Sequence, residues 1–400
     1  MIILGLNSGT SRDSVSAVIF ETGQFKAPMK IQLYAHSDYA YPAWLEKELV
    51  KLEHQPSLEH IARMNFLLGE FFAQCALRLI KESEISSEKI DLIASHGQTI
   101  GHFPALKKIH GYSNRASLQI AEPCVIALRT GITTIGDFRS ADIAGYGQGA
   151  PVLTYPEYLL FFSPEKNRMA LNLGGIANFS LIPKTGQLGK IRASDCGPCN
   201  MLLDGLSRAI SRGRLKFDPQ GRMALRGEPR EKWIRAWLKH PFFKKPAPKT
   251  TGRDEFDASW LKGILRGQRI KSQKERADLL RSGVCAVAEM VAQCYFDNYG
   301  DFGMEEVIVS GGGSKNQALI LELTRRLGRN LILSDAIGVP ALAKEPIGFG
   351  ILAQLCVLGK AGNIPSATGA KAGAVLGKIC PGKNWRRLIQ GLGLKKEELR

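Results

Sequence analysis

One acidic residue stands where its side chain could do catalytic chemistry. Asp195 lies in the run Ser194-Asp-Cys-Gly-Pro-Cys-Asn200, and the glycine and proline predict a turn just before an amphipathic run at 201–210. A carboxylate at such a place commonly caps the helix that follows. Facing a bound substrate, the same carboxylate is the best candidate in the chain for a general base that deprotonates a hydroxyl group or water. The residues alone leave both interpretations open.

Three glycine-containing loops could bind phosphate groups. They are the hairpin tip Gly9-Thr10-Ser11, the turn Gly174-Gly175, and the loop Gly311-Gly312-Gly313-Ser-Lys-Asn316, which precedes a predicted helix at 317–327. Backbone N–H groups in such loops, and the amino end of a helix, attract anionic groups. The chain contains neither the Walker A pattern nor Gly-x-Gly-x-x-Gly. Three loops in one chain therefore predict a nucleotide site of another type.

Several other polar residues follow predicted strands or precede a helix. The polar run from Ser95 to Thr99 indicates a contact to a sugar or nucleotide, and Gln148, between two glycines, indicates a ligand contact or a tight crossover between domains. Arg139 could form an ordinary ion pair with Asp142. Glu345 could cap the apolar helix after it or face a cleft. These alternatives stay open.

Cys196-Gly-Pro-Cys199 has the spacing of a thioredoxin-type redox motif. No tryptophan precedes it, and it does not lie in the first βαβ unit of a small domain. A zinc site would need two more ligands, and the chain has no second Cys-x-x-Cys. We therefore expect neither a redox centre nor a zinc site there, and the sequence leaves the metal ligands unidentified.

Two similar strand arrangements would position these residues. In the first half, strands at 2–6 and 15–20 flank the first glycine tip, and in the second half, strands at 169–173 and 176–182 flank Gly174-Gly175. Helical stretches and further strands follow each hairpin. We expect an internal duplication, with two α/β domains that face each other across a central cleft.

The same pattern sets the expected domain boundaries. The first domain is predicted to span residues 1–135, with 355–400 packing back on it. The second is predicted to span 136–354 and to carry a basic insertion at about 222–281.

Composition limits the classes of protein. The chain has 400 residues, of which 44% are hydrophobic and 23% charged, so disordered, collagen-like and disulfide-stapled classes are excluded. Lys and Arg (54) exceed Asp and Glu (37) by 17. Zinc-finger spacing, helix-turn-helix spacing and an aromatic-interleaved basic stripe are all lacking, so we expect a basic surface that favours anionic substrates and no nucleic-acid partner.

Membrane association is not expected either. The longest apolar run, at 346–359, is shorter than the roughly 18 residues that a spanning helix needs. The first residues lack the basic flank of a signal peptide, and the eight cysteines show no regular framework. These features predict a cytoplasmic protein.

Taken together, the motifs resemble those of the anhydro-N-acetylmuramic acid kinases, within the sugar-kinase, Hsp70 and actin superfamily. The resemblance covers residues 2 to about 381, and several of its motifs are specific to the family. The similar segments are Ser8-Gly-Thr-Ser-Arg-Asp13, Ala94-Ser-His-Gly-Gln-Thr99, Gly136-Asp-Phe-Arg139, Gly147-Gln-Gly-Ala-Pro151, Asn172-Leu-Gly-Gly-Ile-Ala-Asn178, Asp195-Cys-Gly-Pro198, Lys249-Thr-Thr-Gly-Arg253, Ser310-Gly-Gly-Gly-Ser-Lys-Asn316, 345–353 and Gly362-Asn-Ile-Pro-Ser-Ala-Thr-Gly369.

The resemblance implies an actin-like (ribonuclease H-like) kinase of murein recycling that uses ATP and Mg²⁺. Such an enzyme opens the 1,6-anhydro ring of anhydro-N-acetylmuramic acid with water and phosphorylates O6, giving N-acetylmuramate 6-phosphate. Asp195 would activate the water, and a homodimer is possible. The implied sugar contacts are Thr99, Arg139, Gln148 and Glu345. The implied ATP contacts are Gly9, Thr10, Ser11, Arg12, Asp13, Ser14, Val15, Ser16, Gly174, Gly175, Gly311, Gly312, Gly313 and Asn316.

The chain also departs from the family pattern at positions near the expected site. Ser16 replaces an aspartate, Tyr146 and Cys199 replace glycines, and Glu157 replaces a histidine. Arg12 and Ser14 differ as well. The alternative hypothesis is therefore a catalytically weak or inactive sugar- or nucleotide-binding protein on the same scaffold.

Overall fold

The computed structural model describes residues 1–9, 12–252, 255–266 and 270–392. The chain divides by its internal packing into two units. The first contains Met1–Leu160 and the chain from Ala343 onward, and the second contains Phe161–Leu342. Across the described ranges, every helix is too short or too polar to cross a lipid bilayer.

Each unit is built on one β-sheet. The strands of the first sheet lie before residue 137 and near the end of the chain, and those of the second lie between residues 168 and 333. In chain order the strands are β1 (Ile2–Ser8), β2 (Ser14–Thr22), β3 (Ile31–Ala40), β4 (Leu92–Ile109), β5 (Tyr112–Ile120), β6 (Thr134–Gly136), β7 (Arg168–Leu173), β8 (Ile176–Ile182), β9 (Arg192–Pro198), β10 (Glu306–Ser310), β11 (Leu331–Leu333) and β12 (Lys378–Cys380).

The two sheets share one topology. In the first, β1, β2 and β3 form an antiparallel meander, and β4 and then β6 lie parallel to β1 on its other side. In the second, β7, β8 and β9 form the same meander, and β10 and then β11 lie parallel to β7. The first sheet adds β5 beside β4 and β12 beside β6, both antiparallel. This repeated order confirms the predicted duplication and the actin-like α/β class. The cleft stays a prediction.

Helices cover these sheets with their apolar faces. Helix boundaries follow ordinary capping chemistry: the long helix Gln273–Tyr299 begins with a capping box in which Ser272 and Glu275 each accept a backbone N–H of the other. The helices are α1 (Ala43–His54), α2 (Leu58–Ser83), α3 (Pro123–Thr130), α4 (Ser140–Ala144), α5 (Thr154–Phe161), α6 (Asn200–Ser211), α7 (Glu231–Trp237), α8 (Ala258–Leu265), α9 (Gln273–Tyr299), α10 (Gln317–Leu327), α11 (Lys344–Val357), α12 (Pro365–Thr368) and α13 (Trp385–Gly391).

The division between the units differs from the predicted domain boundaries. Residues 136–160 and 343–354, which we assigned to the second domain, group with the first unit. These two segments are joined to each other by a buried ion pair between Glu157 in α5 and Lys344 in α11, whose Oε1 and Nζ atoms are 2.7 Å apart. Both side chains are at most 5% exposed. Separating the two segments would leave buried charges without partners, which is strongly unfavourable.

A second buried carboxylate joins the same parts of the chain. Asp142 in α4 is fully buried, and its Oδ1 accepts hydrogen bonds from Asn363 Nδ2 and Thr368 Oγ1, each at 2.6 Å. Its Oδ2 accepts the backbone N–H of Gly149 at 2.8 Å. The segment after β6 is therefore fastened to the C-terminal part of the first unit by side chains that are more than 200 residues apart in sequence.

Helix α11 packs directly on strand β1 because position 5 carries no side chain. A Cβ atom at Gly5 would lie 2.1 Å from the carbonyl oxygen of Pro346 and 3.2 Å from Val18 Cγ1. Pro346 lies in the first turn of α11, where a missing backbone N–H is tolerated. This close approach places the neighbouring Glu345 beside the end of β1.

We expect Gly5→Ala to lower the free energy of unfolding by about 2–3 kcal/mol, because a methyl group at this position overlaps backbone atoms of α11. The measurement is the urea midpoint of the purified protein. Gly391→Ala, at the exposed end of α13 where a Cβ meets no atom within 4 Å, is the matched control in the same unit. Equal midpoints for the two variants would contradict this account of the packing.

Candidate active site

Asp195 lies inside strand β9, so the predicted turn at this residue is wrong. It pairs with Asn178 of β8, and the strand continues to Pro198. Helix α6 begins at Asn200, and its N-cap is Cys199, which makes no side-chain cap. Asp195 is therefore not the cap of α6, and the capping interpretation is excluded. The residue is 9% exposed.

The carboxylate of Asp195 is held by the segment 249–251. Its Oδ2 accepts hydrogen bonds from Thr250 Oγ1 at 2.9 Å and from the backbone N–H of Thr251 at 2.8 Å. The backbone N–H of Asp195 donates to the carbonyl of Lys249 at 2.9 Å. The arrangement therefore fixes the side chain in one orientation.

Lys249 anchors that segment. Its side chain is nearly buried, and Nζ donates to the carbonyl of Phe242 at 3.1 Å and lies 4.6 Å from the centre of the Phe242 ring. A backbone carbonyl and an aromatic face both stabilise an ammonium group. The position of Asp195 thus depends on a lysine whose own side chain is fixed by Phe242.

The structure brings together two of the three predicted phosphate loops. A Cβ at Gly311 would lie 2.8 Å from the carbonyl oxygen of Leu173, which immediately precedes Gly174. Asn200, at the start of α6, joins them: its Nδ2 donates to Leu173 O at 3.0 Å, and a Cβ at Gly313 would lie 3.1 Å from its Oδ1. The absence of side chains at 311 and 313 is therefore required for this loop to lie against the turn.

The orientation of the Gly174-Gly175 turn is set by α6. The carbonyl of Gly174 accepts the backbone N–H of Asn200 at 3.1 Å, and the carbonyl of Gly175 accepts that of Cys199 at 2.8 Å. A trans peptide points its C=O and N–H in opposite directions, so the N–H of Gly175 points away from α6. Asn316, also a predicted ATP contact, caps α10 by accepting the backbone N–H of Leu319 at 3.1 Å.

Cys196 and Cys199 are reduced, buried thiols. Burial raises the pKa of both, so neither is a thiolate at neutral pH. A thiolate is the form that attacks disulfides, so this state does not favour the redox interpretation of the motif. Cys199 has φ −113°, a conformation that does not require glycine.

In the first unit, the tip between β1 and β2 carries the remaining loop. Gly9 accepts the backbone N–H of Arg12 at 3.2 Å and the Nε2 of Gln98 at 3.4 Å. Ser8 Oγ lies 2.7 Å from Gln98 Oε1, to which it donates. Thr10 and Ser11, which we predicted to contact ATP, lie outside the described residues.

Ser16, which stands where the family pattern has an aspartate, lies in a row of polar residues that crosses three strands. Ser16 pairs with Asn7 of β1 and with Asp38 of β3. Its Oγ is 3.1 Å from His36 Nε2, which is in turn 3.7 Å from the Asp38 carboxylate. Directly paired residues in neighbouring strands point to the same face of a sheet. A carboxylate is thus present on that face, on β3 instead of β2.

Arg139 is oriented by a neutral histidine. Its Nε donates to His96 Nε2 at 3.2 Å, and its NH1 donates to the carbonyl of Gly149 at 2.8 Å. His96 is stacked on Phe349 with ring centres 4.3 Å apart. Burial, and secondarily the charge of Arg139, hold the pKa of His96 well below its usual value. The imidazole is neutral at physiological pH and can accept the guanidinium N–H.

The other predicted sugar contacts lie in the same unit. Thr99 accepts at its Oγ1 from Gln119 Nε2 at 3.2 Å, and its carbonyl accepts from Arg12 NH2 at 3.3 Å. Gln148 is half-buried, and its backbone N–H donates to Thr368 O at 2.9 Å. Thr99 is therefore connected to the hairpin tip, whereas Gln148 is fixed through the network of Asp142.

Glu345 binds strand β1. Its Oε2 accepts from Asn7 Nδ2 at 2.6 Å, and it lies in the first turn of α11, whose N-cap is Ala343. Of the two roles left open by the sequence, capping is therefore excluded. Within the first unit, the structure places Glu345 next to the strand that leads into the hairpin tip.

The departure at Tyr146 is visible in the backbone. Tyr146 has φ +70°, a left-handed conformation that favours glycine. The side chain is exposed, and Lys371 Nζ lies 3.8 Å from the centre of its ring. Its carbonyl accepts from Arg115 NH1 at 2.8 Å. These contacts offset the conformational free-energy cost of a side chain at a position whose backbone conformation favours glycine.

Comparison with known proteins decides the family. The model of the anhydro-N-acetylmuramic acid kinase family matches residues 1–382. The protein of that name from Caldanaerobacter subterraneus subsp. tengcongensis is 38% identical over 385 residues, which cover 94% of this chain and 96% of that protein. The one from Acaryochloris marina is 36% identical, with 95% of this chain and 99% of that protein covered. The chain belongs to the anhydro-N-acetylmuramic acid kinase family.

A solved structure also aligns with this family member over most of its length. It is the activator of the 2-hydroxyisocaproyl-CoA dehydratase from Clostridium difficile with bound ADPNP, at 13% identity and a TM-score of 0.43. The alignment covers 88% of this chain and 94% of the other.

Three residues of the site escaped the sequence analysis as individual candidates. They are Gln98, Asn200 and Thr250, each of which touches a predicted site residue or loop through a side-chain hydrogen bond. All three lie in segments that resemble the kinase family or directly beside one. The available signal was therefore their place in those segments, because amide and hydroxyl side chains carry no distinctive spacing of their own.

The neutral histidines near Arg139 predict a pH-dependent stability. Burial lowers the pKa of His102 to about 3 and that of His96 in the same direction, whereas the unfolded chain binds these protons near pH 6.5. Each histidine therefore lowers the free energy of unfolding as the pH falls below about 6.5, by up to about 1.4 kcal/mol per pH unit. The measurement is the urea midpoint at pH 7.5 and pH 5.0.

Between pH 7.5 and pH 5.0, we expect the free energy of unfolding of His102→Gln to fall less than that of the wild type. His110→Asn is the matched control, because His110 is exposed and its loss should leave the pH dependence unchanged. If the free energy of unfolding of His102→Gln fell as much at pH 5.0 as that of the wild type, the buried neutral imidazole of His102 would not be the cause of the acid sensitivity.

Proposed function

We propose that this protein is an ATP-dependent kinase that opens 1,6-anhydro-N-acetylmuramic acid and phosphorylates it at O6 to N-acetylmuramate 6-phosphate, in murein recycling. Membership of the kinase family over nearly the whole chain supports the activity. The structural observation that carries the proposal is Asp195, a buried carboxylate held by two hydrogen-bond donors.

In the proposed reaction, the carboxylate of Asp195 takes a proton from water. The water oxygen forms a bond to C1 of the sugar while the C1–O6 bond breaks, and O6 forms a bond to the γ-phosphorus as ADP leaves. Two donors on Oδ2, Thr250 and Thr251, support the negative charge of the base before the reaction and fix its direction. Such positioning is a large part of phosphoryl-transfer catalysis.

The glycine loops are assigned to the phosphate groups of ATP. In the second unit, Gly174-Gly175 and Gly311–Gly313 lie against each other and are held by Asn200, so their backbone amides have fixed directions. Fixed N–H groups stabilise phosphate charge without reorganising. In the first unit, the tip from Gly9 to Ser16 is assigned the same role.

The donor set of the chain fits Mg²⁺ as a metal held partly by the nucleotide. The only group of three close Cys, His, Asp or Glu ligands in the described residues is Glu122, Cys124 and Cys380, none of which is assigned to ATP. Mg²⁺ commonly binds through one or two carboxylates and substrate phosphates instead of a protein cage. Asp13 and Asp38, near the first hairpin tip, would supply such oxygens. When bound, the ion would neutralise phosphate charge.

Sugar recognition is assigned to the first unit. Arg139, oriented by His96 and Gly149, offers a positive charge for the lactyl carboxylate of the muramic acid. Thr99, Gln148 and Glu345 are assigned to hydroxyl and amide groups of the sugar. Mg²⁺ use, a cytoplasmic location and a homodimer remain predictions.

Asp195→Asn tests the proposed base. Because an amide cannot take the proton, we expect kcat for the phosphosugar to fall at least about 100-fold while the fold is retained. Product formation is measured by mass spectrometry of anhydro-N-acetylmuramic acid incubated with ATP and Mg²⁺, as the combined gain of phosphate and water. Asp297→Asn, an exposed carboxylate of the same unit, should keep wild-type turnover.

Turnover within tenfold of wild type in Asp195→Asn would remove the assigned role of Asp195. A wild-type protein that binds ATP or the sugar in a thermal-shift assay, yet forms no phosphosugar, would favour the alternative of an inactive binding protein. That alternative draws on the departures at Ser16 and Tyr146.

Thr250→Val tests whether the hydroxyl donor positions the base. The substitution removes the O–H from Asp195 Oδ2 at nearly constant shape, and a hydrogen bond to a charged group is worth about 1.5–3 kcal/mol. We expect kcat to fall about tenfold or more with little change in KM for the sugar, and Thr250→Ser to restore it. Thr251→Val keeps the backbone donor to Asp195, so a smaller loss is expected.

A fall in stability alone would lower the activity of the valine and serine variants together. Equal kcat values for Thr250→Val and the wild type would show that Thr250 has no positioning role.

A further inference from the structure

Two cysteines and a carboxylate converge in the first unit, and none of the three is among the residues assigned to the kinase reaction. One ligand atom each from Glu122, Cys124 and Cys380 lies within 4.8 Å of the other two. Both thiols are free. The predicted Cys-x-x-Cys motif takes no part in this cluster, which joins residues more than 250 positions apart.

The fold brings the three side chains together beside the short strand β6. Glu122 is the N-cap of α3, and its Oε1 accepts the backbone N–H of Cys124 at 3.2 Å. Cys380 ends β12, where it pairs with Thr134 of β6. A Cβ on Gly136, at the other end of β6, would lie 3.1 Å from the ring of Pro123. Helix α3 therefore begins against the strand that β12 pairs with.

The ligand chemistry of the cluster is that of a thiophilic metal ion. Thiolate ligands select zinc-like ions over Mg²⁺ and Ca²⁺, which prefer oxygen. In a tetrahedral zinc site with Zn–S bonds of about 2.3 Å, two sulfurs lie about 3.8 Å apart. A spacing of at most 4.8 Å is within about 1 Å of that value. Small rotations of the side chains would complete the site.

We propose that Glu122, Cys124 and Cys380 form a binding site for a zinc-like divalent cation that fastens β12 to the start of α3. Three protein ligands leave the fourth position to water. Cys124 is exposed, so an ion reaches the site directly from solvent. Its ligands differ from Asp13 and Asp38, the carboxylates that are proposed to hold Mg²⁺.

A second layer of hydrogen bonds already orients the carboxylate. Asn65 of α2 donates from Nδ2 to Glu122 Oε2 at 3.0 Å, and its Oδ1 accepts the backbone N–H of Ala121 at 3.0 Å. Partners of this kind fix ligand orientation, and their loss typically lowers metal affinity about 10- to 100-fold. Asn65 is therefore a positioning residue of the proposed site.

Metal binding at this site must displace a proton. Burial, together with the neighbouring Cys124, raises the pKa of Cys380 to about 12, so the thiol is protonated in the metal-free protein. Metal affinity for such ligands is coupled to proton release. The cation thus takes the place of the thiol proton of Cys380.

The test is a titration of the full-length, reduced, chelator-treated protein with Co²⁺, followed by competition with Zn²⁺. We expect one equivalent of Co²⁺ to produce a thiolate-to-cobalt absorption band that Zn²⁺ abolishes. Cys124→Ser and Cys380→Ser should each lose the band or bind at least 100-fold more weakly, and Asn65→Ala should bind 10- to 100-fold more weakly. Cys75→Ala, a buried thiol outside the cluster, should match the wild type.

Because Cys124 is exposed, Cys124→Ser is expected to fold normally, and an unchanged thermal midpoint without metal confirms this. Zn²⁺ should raise the thermal midpoint of the wild type and leave that of Cys124→Ser unchanged. Three results would overturn the proposal: the absence of a cobalt band, a band that persists in both serine variants, or a disulfide between Cys124 and Cys380 that forms with loss of two electrons and resists reductant. Kinase turnover is not measured in this test. A negative result would therefore contradict the metal site and leave the proposed kinase function unaffected.

Discussion

Position 5 carries no side chain, and this decides how closely helix α11 packs on strand β1 in the first unit. The carbonyl of Pro346 occupies the space of a Gly5 side chain, so α11 lies directly on β1. From that contact follow two others at the start of the helix: Glu345 reaches Asn7 at the end of β1, and Lys344 reaches the buried Glu157. The same helix supplies Phe349, on which His96 stacks. Two of the candidate sugar residues, Glu345 and Arg139, therefore depend on close packing between backbone atoms of a helix and a strand.

In the second unit, the site depends on segments that are distant in sequence and fastened to each other by polar groups. Lys249 is fixed by the Phe242 carbonyl, and the two residues after it hold Asp195. Asn200 holds the turn that contains Gly174 against the loop at Gly311. Each fastening uses a side chain whose loss would leave a buried polar group without a partner, which is costly in a protein interior. The base inside β9 and the phosphate loops beside the start of α6 are thus positioned by separate networks.

The sequence predicted those parts of the fold that local patterns determine. The hairpins around the glycine tips and the helix at 317–327 were predicted because apolar strands, glycine turns and the asparagine cap are local signals. The placement of Asp195 in a turn was wrong because Gly197 and Pro198 continue β9; Gly197, at φ +140°, lies against Phe243. The domain boundaries differed because Asp142 binds residues more than 200 positions away, which no local pattern reveals.

The departures from the family pattern are accommodated by specific neighbours, which argues that the scaffold around the site is maintained. Glu157 is paired with Lys344, Cys199 occupies a conformation that tolerates a side chain, and the ring of Tyr146 lies under Lys371. These three positions adapt packing. Ser16 differs from them because it removes a charge from the first hairpin, and the register of β2 and β3 places Asp38 opposite it. A negative charge therefore remains on the same face of the sheet, one strand from where the family has it.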